Sequence, residues 1–297
     1  MQYALFKDDL VSEPVLPRAI VPYRQQLLKW VGSKQKVAHL ITAAFPAHRS
    51  YHEPFLGAGG VMATLAPQCG YGADVFAPLI AIWQTLSRDP ETLIRWYADR
   101  WHRFQAGNRV IVYEEIKASY NATPNAADFL FLTRACYGGI VRFRQKDGYM
   151  STPVGVHPPI PPAAFAKRAA EWHRRLAHCD FACMDFAESI ARAKPGDLVY
   201  CDPPYVHTQA ILYGAQAFDL QRLFAVIADA AARGVQVALS IDGHSKNGDK
   251  NLAVPVPDGL FQRDIAIPLG RSMLRRFQMG GQSMEGEGVS DRLLLTF

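Results

Sequence analysis

Cysteine is scarce in this chain and follows no ligand pattern. The 297 residues include five cysteines, and no two of them form a Cys-x-x-Cys pair. Cys179 and Cys183 stand four residues apart, without the paired histidines that would complete a zinc site. The sequence therefore predicts no bound metal and no disulfide framework. Unpaired cysteines are typical of a reducing compartment, so we expect a cytoplasmic protein.

Long apolar runs are missing as well, although 49% of the residues are hydrophobic. No run approaches the roughly 20 residues that cross a bilayer. Residues 1–9 lack the charged and apolar stretches of a signal peptide. We therefore expect a chain with a sizeable core and no membrane contact. Its net charge of +5 is compatible with a nucleic-acid partner but does not demonstrate one.

Short apolar segments alternate with amphipathic ones over most of the chain. The pattern predicts strands at 71–74, 181–186, 198–201, 235–241 and 293–297, and helices at 34–45, 60–65, 77–87, 91–106 and 219–233. Strands that alternate with helices are typical of a mostly parallel sheet, so we predict an α/β fold.

The pattern changes between about residues 84 and 172, which do not look like the core of a sheet. Helices are predicted at 109–120 and 125–136, followed by a glycine-, arginine- and aromatic-rich segment and a proline-rich loop from Pro153. We interpret 84–172 as a mainly helical insertion. It divides a core domain made of 23–83 and 173–297, and residues 1–22 form a loose N-terminal arm.

The most informative segment reads Asp-Leu-Val-Tyr-Cys-Asp-Pro-Pro-Tyr at 197–205. Its apolar centre is typical of a buried strand, which places Asp202 at the carboxyl end, where open α/β sheets bind their ligands. Pro203 and Pro204 have no backbone N–H, so the Pro203 carbonyl can point beside the Asp202 carboxylate. These two acceptors, with Tyr205 as a flat lid, suit a planar ring that carries an amino group, such as a nucleobase.

Asp-Pro-Pro-Tyr resembles the catalytic motif of the Dam-type DNA adenine-N6 methyltransferases, the D12 class with the α order of motifs. Three further segments match this family in order: Lys-Trp-Val-Gly-Ser-Lys at 29–34, Glu-Pro-Phe-Leu-Gly-Ala-Gly-Gly at 53–60, and the segment 132–143, which begins Leu-Thr-Arg and ends Tyr-Gly-Gly-Ile-Val-Arg-Phe. The resemblance spans residues 23–297. It implies a Rossmann-like, S-adenosylmethionine-dependent methyltransferase domain in which 84–172 is the target-recognition region.

The glycine turn at 57–59 indicates the cofactor site. A Gly-x-Gly pair after a strand lets a ligand approach the backbone at the positive end of a helix. Asp74 ends the next strand, where an acidic side chain can hold ribose hydroxyls. By resemblance, S-adenosylmethionine, which leaves as S-adenosylhomocysteine, is bound by Trp30, Lys34, Glu53, Phe55, Gly57, Gly59, Asp74, Asp185, Phe186 and Asp202. Core packing is the alternative for Trp30 and Phe55, and a turn role for Asp74.

The resemblance also implies that Asp202, Pro203, Pro204 and Tyr205 form the catalytic site. The carboxylate and the Pro203 carbonyl would accept the two N–H groups of adenine N6, and the carboxylate would stabilise the charge that builds there. A paired base cannot reach these groups, so the adenine must flip out and stack on Tyr205. The sulfonium methyl is already activated, and the reaction needs no metal.

The segment from Tyr137 to Arg144 is the predicted DNA-reading element. By resemblance, Tyr137 intercalates, Arg142 reads a guanine and Pro153 belongs to the recognition loop. Lys29, Arg134 and Arg144 complete the predicted set of DNA contacts. Phosphate contacts alone are the alternative for Arg142 and Arg144.

Several positions depart from the family pattern, among them Ile-Asp-Gly at 241–243, where the family commonly has Ser-Asn. The family often has Asn where Phe76 stands. Members that read GATC carry Asn and Arg where this chain has Gly138 and Val156, so its target sequence stays open.

We predict a monomeric enzyme that methylates adenine N6 at specific sites of double-stranded DNA. Cytosine N4 or an RNA base is the first alternative, although cytosine-N4 enzymes usually carry Ser at the position of Asp202. A DNA-binding homologue without catalysis is the second alternative. A nucleotide-dependent oxidoreductase would need a third glycine where Met62 stands. A cognate restriction endonuclease as partner stays open.

Overall fold

One sheet organises the chain, which this computed structural model describes at residues 20–204, 218–245, 254–270 and 289–297. Within these ranges the strands are β1 Tyr51–Glu53, β2 Gly70–Asp74, β3 Cys179–Cys183, β4 Leu198–Cys201, β5 Gln236–Ser245, β6 Arg263–Gly270 and β7 Val289–Leu295. Their order across the sheet is β3-β2-β1-β4-β5-β7-β6. Strands β1 to β5 are parallel, and β7 runs antiparallel between β5 and β6. This Rossmann-like arrangement confirms the predicted α/β fold.

The helices of the described ranges agree closely with the sequence pattern at most positions. They are α1 Ala38–Ala43, α2 Gly60–Leu65, α3 Ala77–Arg88, α4 Pro90–Ala106, α5 Arg109–Ala122, α6 Ala126–Ala135, α7 Pro162–Arg175, α8 Phe186–Ala191 and α9 Leu220–Ala232. The helix predicted at 34–45 is divided into a 3-10 turn, Lys34–Lys36, and α1. None of these helices is both long enough and apolar enough to cross a membrane.

The sequence pattern does not predict α7, α8 or β6. The proline-rich stretch hides α7, which begins at Pro162, because proline is tolerated in the first turn of a helix. The strand predicted at 181–186 is wrong at its end. β3 stops at Cys183, and the Asp185 side chain caps α8 by accepting a hydrogen bond from the Ala187 N–H at 2.9 Å.

The direction of winding reverses between β1 and β4. β2 and β3 lie on one side of β1, whereas β4 and β5 lie on the other. Tyr51 is in register with Leu198, so the two neighbouring strands end at the same edge of the sheet. Ligands of open α/β sheets bind in the crevice that such a reversal creates. The turn after Glu53 and the segment that starts at Asp202 meet there.

The sheet is buried on both faces at β4. Leu198 and Tyr200 join one apolar cluster with side chains from α1 to α7, whereas Val199 and Cys201 join a second cluster under α8 and α9. This alternation follows the two-residue period of a strand. Phe129 of α6 is fully buried in the first cluster, so the inserted helices share the core of the sheet.

The predicted division of the chain remains a proposal. The boundaries at 83/84 and 172/173 fall inside α3 and α7, both of which contribute to one apolar cluster. Most of the predicted arm, 1–22, lies outside the described residues. We keep 84–172 as the target-recognition region on the basis of the motif at 137–143, not on the basis of separate packing.

A buried carboxylate ties three of the inserted helices together. Asp128 of α6 is 4% exposed and forms an ion pair with Arg100 of α4 at 2.7 Å. It accepts hydrogen bonds at 2.8 Å from the Ser119 hydroxyl of α5 and from the Asn125 amide. Its two oxygens are thus satisfied by groups from different helices.

Replacing Asp128 by alanine should destabilise the protein far more than breaking an exposed pair between the same helices. Asp128→Ala leaves the partly buried guanidinium of Arg100 without its anion and removes the acceptor of Ser119 and Asn125, and breaking a largely buried pair of this kind typically costs about 3–5 kcal/mol. Glu115→Ala removes the partner of Arg103, where both side chains are more than half exposed, and should cost less than about 1 kcal/mol. Urea unfolding of both variants measures the difference, and equal midpoints would contradict it.

Candidate active site

A cleft of about 490 Å³ opens at the carboxyl ends of β1 and β4. This volume lies within the roughly 300–1,000 Å³ that is common for small-molecule sites. Side chains and backbone from the 30–34 segment, the glycine turn and the 202–204 segment form its walls. The structure brings together here all ten residues predicted to hold the cofactor: Trp30, Lys34, Glu53, Phe55, Gly57, Gly59, Asp74, Asp185, Phe186 and Asp202.

The glycine turn depends on the absence of side chains. Gly57 has a φ of +47° and Gly59 a φ of +61°, in the left-handed region that other residues rarely adopt. A Cβ at Gly57 would lie 3.3 Å from the indole nitrogen of Trp30. The Gly57 carbonyl accepts a hydrogen bond from the Trp83 indole at 3.0 Å. The indole rings of Trp30 and Trp83 therefore both pack against the turn, and its backbone faces the cleft without side chains.

Asp74 is held against this turn by backbone groups. One carboxylate oxygen accepts the Gly57 N–H and the other accepts the Phe76 N–H, both at 3.1 Å. Burial raises the pKa of Asp74, and these backbone hydrogen bonds oppose that shift. The carboxyl group lies at the end of β2, where it lines the cleft.

An aromatic wall closes one side of the cleft. Phe55 stacks on Phe186 with ring centroids 5.3 Å apart, and Phe218 meets Phe55 edge-on at 5.8 Å. The Arg222 guanidinium lies 4.6 Å from the Phe186 ring centroid and pairs with Asp185. Hydrogen bonds from Arg222 are the main reason that the pKa of Asp185 lies below its ordinary value.

Phe218 and Arg222 are members of this wall that the sequence does not predict. Phe218 lies just before α9 and Arg222 lies in its first turn, and the amphipathic pattern predicts the helix without indicating which residue meets Asp185. No short motif carries that information.

Three charged side chains meet at the base of the cleft. The Lys34 ammonium lies 2.7 Å from a carboxylate oxygen of Asp202 and 3.3 Å from one of Asp291, and its side chain is 5% exposed. Burial by itself lowers the pKa of Lys34, but the two carboxylates outweigh it and raise that pKa above its ordinary value. Lys34 therefore stays positively charged. The sequence analysis missed Asp291, which belongs to β7.

Glu53 is a buried acid beside this cluster. Its Oε2 accepts a hydrogen bond from the Tyr51 hydroxyl at 2.8 Å. Burial raises the pKa of Glu53 to about 8, and the nearby charge of Asp202 adds to the shift, although the hydrogen bond from Tyr51 opposes it. At neutral pH the carboxyl group therefore holds a proton for most of the time.

The segment after β4 carries the predicted catalytic residues. Asp202 and Pro204 line the cleft, and Pro203 is buried. Tyr205 lies outside the described residues. Cys201 is fully buried and its thiol pKa is raised by burial, which argues against a nucleophilic role. In the parts of the chain that the structure covers, no group of three or more His, Cys, Asp or Glu side chains is arranged to hold a metal ion.

The predicted DNA-reading element contains a hairpin. The backbone of Arg142 pairs with Ser151 at 2.9 Å and that of Arg144 with Tyr149 at 2.9 Å. Both arginine side chains are exposed. Arg144 makes two hydrogen bonds to Asp147, at 3.0 and 2.7 Å, and lies 4.2 Å from the Tyr149 ring centroid. Arg142 has no ion-pair partner among the described residues.

Two further predicted contacts lie next to this hairpin. Tyr137 is 42% exposed, and its N–H donates to the carbonyl of Pro153, which is itself exposed, at 2.8 Å. Lys29 is exposed, with its aliphatic stem over Gly139, where a Cβ would lie 2.7 Å from the Lys29 Cδ.

The location of Arg134 argues against its predicted DNA contact. The side chain is buried, at 4% exposure, and its guanidinium donates to the carbonyls of Gln26 at 3.1 Å and Leu27 at 2.8 Å. A sequence pattern that places arginine near a recognition motif does not reveal such burial. Arg134 fixes the backbone that precedes Lys29 instead.

Aromatic rings join the hairpin to the cleft. Phe143 meets Phe76 edge-on at 5.5 Å, Phe76 meets Phe129 at 5.1 Å, and Trp30 meets Phe129 at 5.8 Å. Phe76 stands where the resembled family often has Asn, and here it contributes ring packing. Phe76, Phe143 and Trp30 all line the cleft.

Comparison with known proteins agrees with this geometry. Residues 30–255 match the family described as D12 class N6 adenine-specific DNA methyltransferase. The chain is 31% identical over 236 residues to the DNA N-6-adenine-methyltransferase of Escherichia phage P1, a match that covers 74% of this chain and 30% of that protein. It is 29% identical over 240 residues to the DNA adenine methylase of Vibrio cholerae, a match that covers 77% of this chain and 84% of that protein.

A third relative is the retron Ec67 DNA adenine methylase of Escherichia coli, 31% identical over 186 residues, which are 60% of this chain and 63% of that protein. The family match covers most of the chain and includes the glycine turn, the recognition segment and the Asp-Pro-Pro-Tyr motif. The chain belongs to the D12 class of N6 adenine-specific DNA methyltransferases, the family that its motifs resemble.

Proposed function

We propose that the cleft binds S-adenosylmethionine and receives a flipped-out adenine, whose N6 is methylated while it is hydrogen-bonded to Asp202. The observation that carries this proposal is the convergence of Asp202, the glycine turn and Asp74 on one cleft at the reversal point of the sheet. The segments that supply these groups are far apart in sequence. A two-substrate reaction requires that both substrates be held in a precise geometry, and groups that converge on one cleft can provide it.

The residues of the cleft fit the chemical parts of this cofactor. The stacked rings of Phe55 and Phe186 suit an adenine ring, and Asp74 lies where ribose hydroxyls can be accepted. The open backbone of the glycine turn leaves room that a Cβ would fill. Glu53 offers a carboxyl group for the amino end of the methionine part. When bound, S-adenosylmethionine supplies a methyl group activated by its sulfonium.

Asp202 is the proposed catalytic residue. One oxygen accepts the Lys34 ammonium, and the side chain also lines the cleft. With the Pro203 carbonyl it would accept the two N–H groups of adenine N6 and draw the nitrogen toward tetrahedral geometry. Positive charge builds on N6 as the methyl group is transferred, and the fixed carboxylate stabilises it. We keep Tyr205 as the proposed stacking partner of the flipped base.

We propose that the hairpin and its neighbours contact DNA. Tyr137 is exposed, and an exposed aromatic ring beside glycines supports its proposed entry into a base stack. Arg142 is the proposed guanine reader, and Lys29 and Pro153 are proposed backbone contacts. We assign Arg144 to positioning, because Asp147 and Tyr149 already hold its guanidinium. Gly138 and Val156 keep the target sequence open.

We further propose that the enzyme acts as a monomer in the cytoplasm. The groups that line the cleft come from one chain, so the site needs no second copy to be complete. All five cysteines are free, as in a reducing compartment. A restriction endonuclease partner is compatible with this activity and is not needed for it.

Replacing Asp202 should slow methyl transfer far more than it weakens cofactor binding. We expect Asp202→Ala to lower the rate by about 10²–10³-fold, since it removes a charge aimed at the reacting nitrogen. The matched control is Cys201→Ala, one residue away and fully buried, which should retain most of the activity. Unmethylated genomic DNA, labelled S-adenosylmethionine and single-molecule sequencing of the product measure transfer, the modified base and its sequence context together.

An active Asp202→Ala variant would contradict the proposed catalytic residue. N4-methylcytosine in the product, or transfer only to RNA, would contradict the proposed acceptor. Tight cofactor binding by the unmodified protein without transfer to either nucleic acid would identify a catalytically silent homologue.

The proton on Glu53 should make stability depend on pH. Its pKa is about 8 in the folded protein and about 4.3 in an unfolded chain, so between these values the folded state holds one more proton. The free energy of unfolding therefore falls as pH rises through this window, by at most about 1.4 kcal/mol per pH unit. Glu53→Gln lacks this dependence, and its stability relative to the unmodified protein should increase from pH 5 to pH 8. Urea unfolding at each pH checks this, and parallel profiles would contradict it.

The two exposed arginines of the hairpin should differ in what they contribute to DNA binding. Arg142→Ala should lose about 1–3 kcal/mol of discrimination between the target site and a site with one substituted base. Arg144→Ala should bind all sites slightly more weakly and keep the discrimination. Competition binding with matched duplexes separates the two results. Unchanged discrimination in Arg142→Ala would assign that side chain to phosphate contact.

A further inference from the structure

We propose that Asp291 is a positioning residue for methyl transfer, which acts on Asp202 through the Lys34 ammonium that the two carboxylates share. The inference rests on the proposed role of Asp202. It assigns a function to a residue in the last strand of the described chain, outside the motifs that identify the family.

The sheet order explains how Asp291 reaches the site. β7 runs antiparallel beside β5, and β5 runs parallel beside β4, which ends just before Asp202. Asp291 is in register with Asp242 of β5. Its side chain is 3% exposed and lies 3.3 Å from the Lys34 ammonium, which in turn lies 2.7 Å from Asp202. The position of β7 between β5 and β6 thus brings the Asp291 carboxylate close to the end of β4, where Asp202 lies.

The charges of these three side chains matter for the reaction. When all are ionised, Lys34, Asp202 and Asp291 together carry one negative charge. Without Asp291, the remaining pair is neutral. Since methyl transfer leaves positive charge on the acceptor nitrogen, Asp291 favours the transition state by offsetting the Lys34 charge that otherwise cancels the charge of Asp202.

The geometry gives Asp291 a second effect on Asp202. Lys34 is drawn toward two carboxylates at once, which holds its ammonium between them. If the charge of Asp291 is removed, the ammonium is attracted more strongly toward Asp202 and competes with adenine N6 for the carboxylate oxygens. A shift of this kind changes the chemical step more than it changes the affinity for either substrate, because Asp202 contacts the reacting amino group.

Asp291→Asn keeps the shape of the side chain and removes its charge, so it is the direct test. We expect the single-turnover rate to fall by about 10- to 100-fold, as for a displaced catalytic group. The KM for S-adenosylmethionine and for DNA should stay within about threefold. Asp291→Glu restores the charge and should recover a large part of the rate. The matched control is Asp264→Asn, which removes a carboxylate that pairs with Arg292 on the same antiparallel ladder and should leave the rate unchanged.

A double-variant comparison shows whether Asp291 acts through Lys34. In a Lys34→Gln background, adding Asp291→Asn should have little further effect on the single-turnover rate, because the shared cation is already gone. Additive losses would overturn the inference. Asp291→Asn alone could fail to unfold cooperatively in urea. The comparison of Lys34→Gln with the double variant then still tests the inference, since the double variant leaves neither a buried cation nor a buried anion at these two positions.

The outcome separates this inference from the proposed function. An active Asp202→Ala variant in the same assay would show that the proposed role of Asp202 is wrong. An inactive Asp202→Ala together with a fully active, folded Asp291→Asn would keep that role and overturn the role of Asp291.

Discussion

The buried ion pair between Lys34 and Asp202 is the contact on which the rest of the site depends. The two residues lie 168 positions apart, and they meet where the 30–34 segment and the segment after β4 line the same cleft. Burying an ammonium group costs free energy of hydration, which only close and well-placed carboxylates offset. Asp202 and Asp291 provide them at 2.7 and 3.3 Å. The pair therefore fixes the carboxylate that we propose as catalytic, and it also makes the order of β4, β5 and β7 a condition for the site.

A second condition is steric, because a cofactor can lie close to β1 only where the backbone carries no side chain. Gly57 and Gly59 meet this condition with positive φ angles, and the turn is held by Asp74 on one side and by the Trp83 indole on the other. The same carboxylate that the proposal assigns to the ribose thus also shapes the turn. Structure and binding are not separable at this residue, and the alternative of a turn role for Asp74 is correct alongside the proposed binding role.

The sequence predicts the parallel part of the fold and most of the cleft, because both depend on local patterns. The Gly-x-Gly turn and the Asp-Pro-Pro segment each come directly after a short strand, and neighbouring parallel strands bring such segments to the same edge of the sheet. The sequence does not predict Asp291, whose position depends on an antiparallel pairing with β5, or Arg222, whose partner Asp185 is 37 residues away. It does not predict the burial of Arg134 either, because a charged side chain gives no local sign that backbone carbonyls will surround it in the core. Contacts of this kind are determined by the packed structure.

Phe76 shows how a departure from a family pattern can be absorbed by packing. An asparagine at this position would offer hydrogen bonds, whereas the phenylalanine ring lies between Phe129 of α6 and Phe143 of the hairpin. One wall of the cleft and the base of the hairpin are consequently one aromatic cluster. Edge-to-face ring contacts contribute about 0.5–1.5 kcal/mol each beyond the area they bury, so moving the hairpin away from the cleft would cost a measurable part of the stability of both. On the proposed assignment, the distance between the base reader Arg142 and the catalytic carboxylate is therefore determined by side-chain packing and does not depend on a flexible linker. A change of target sequence in this protein is then most easily reached through exposed positions such as Gly138 and Val156, which leave that cluster intact.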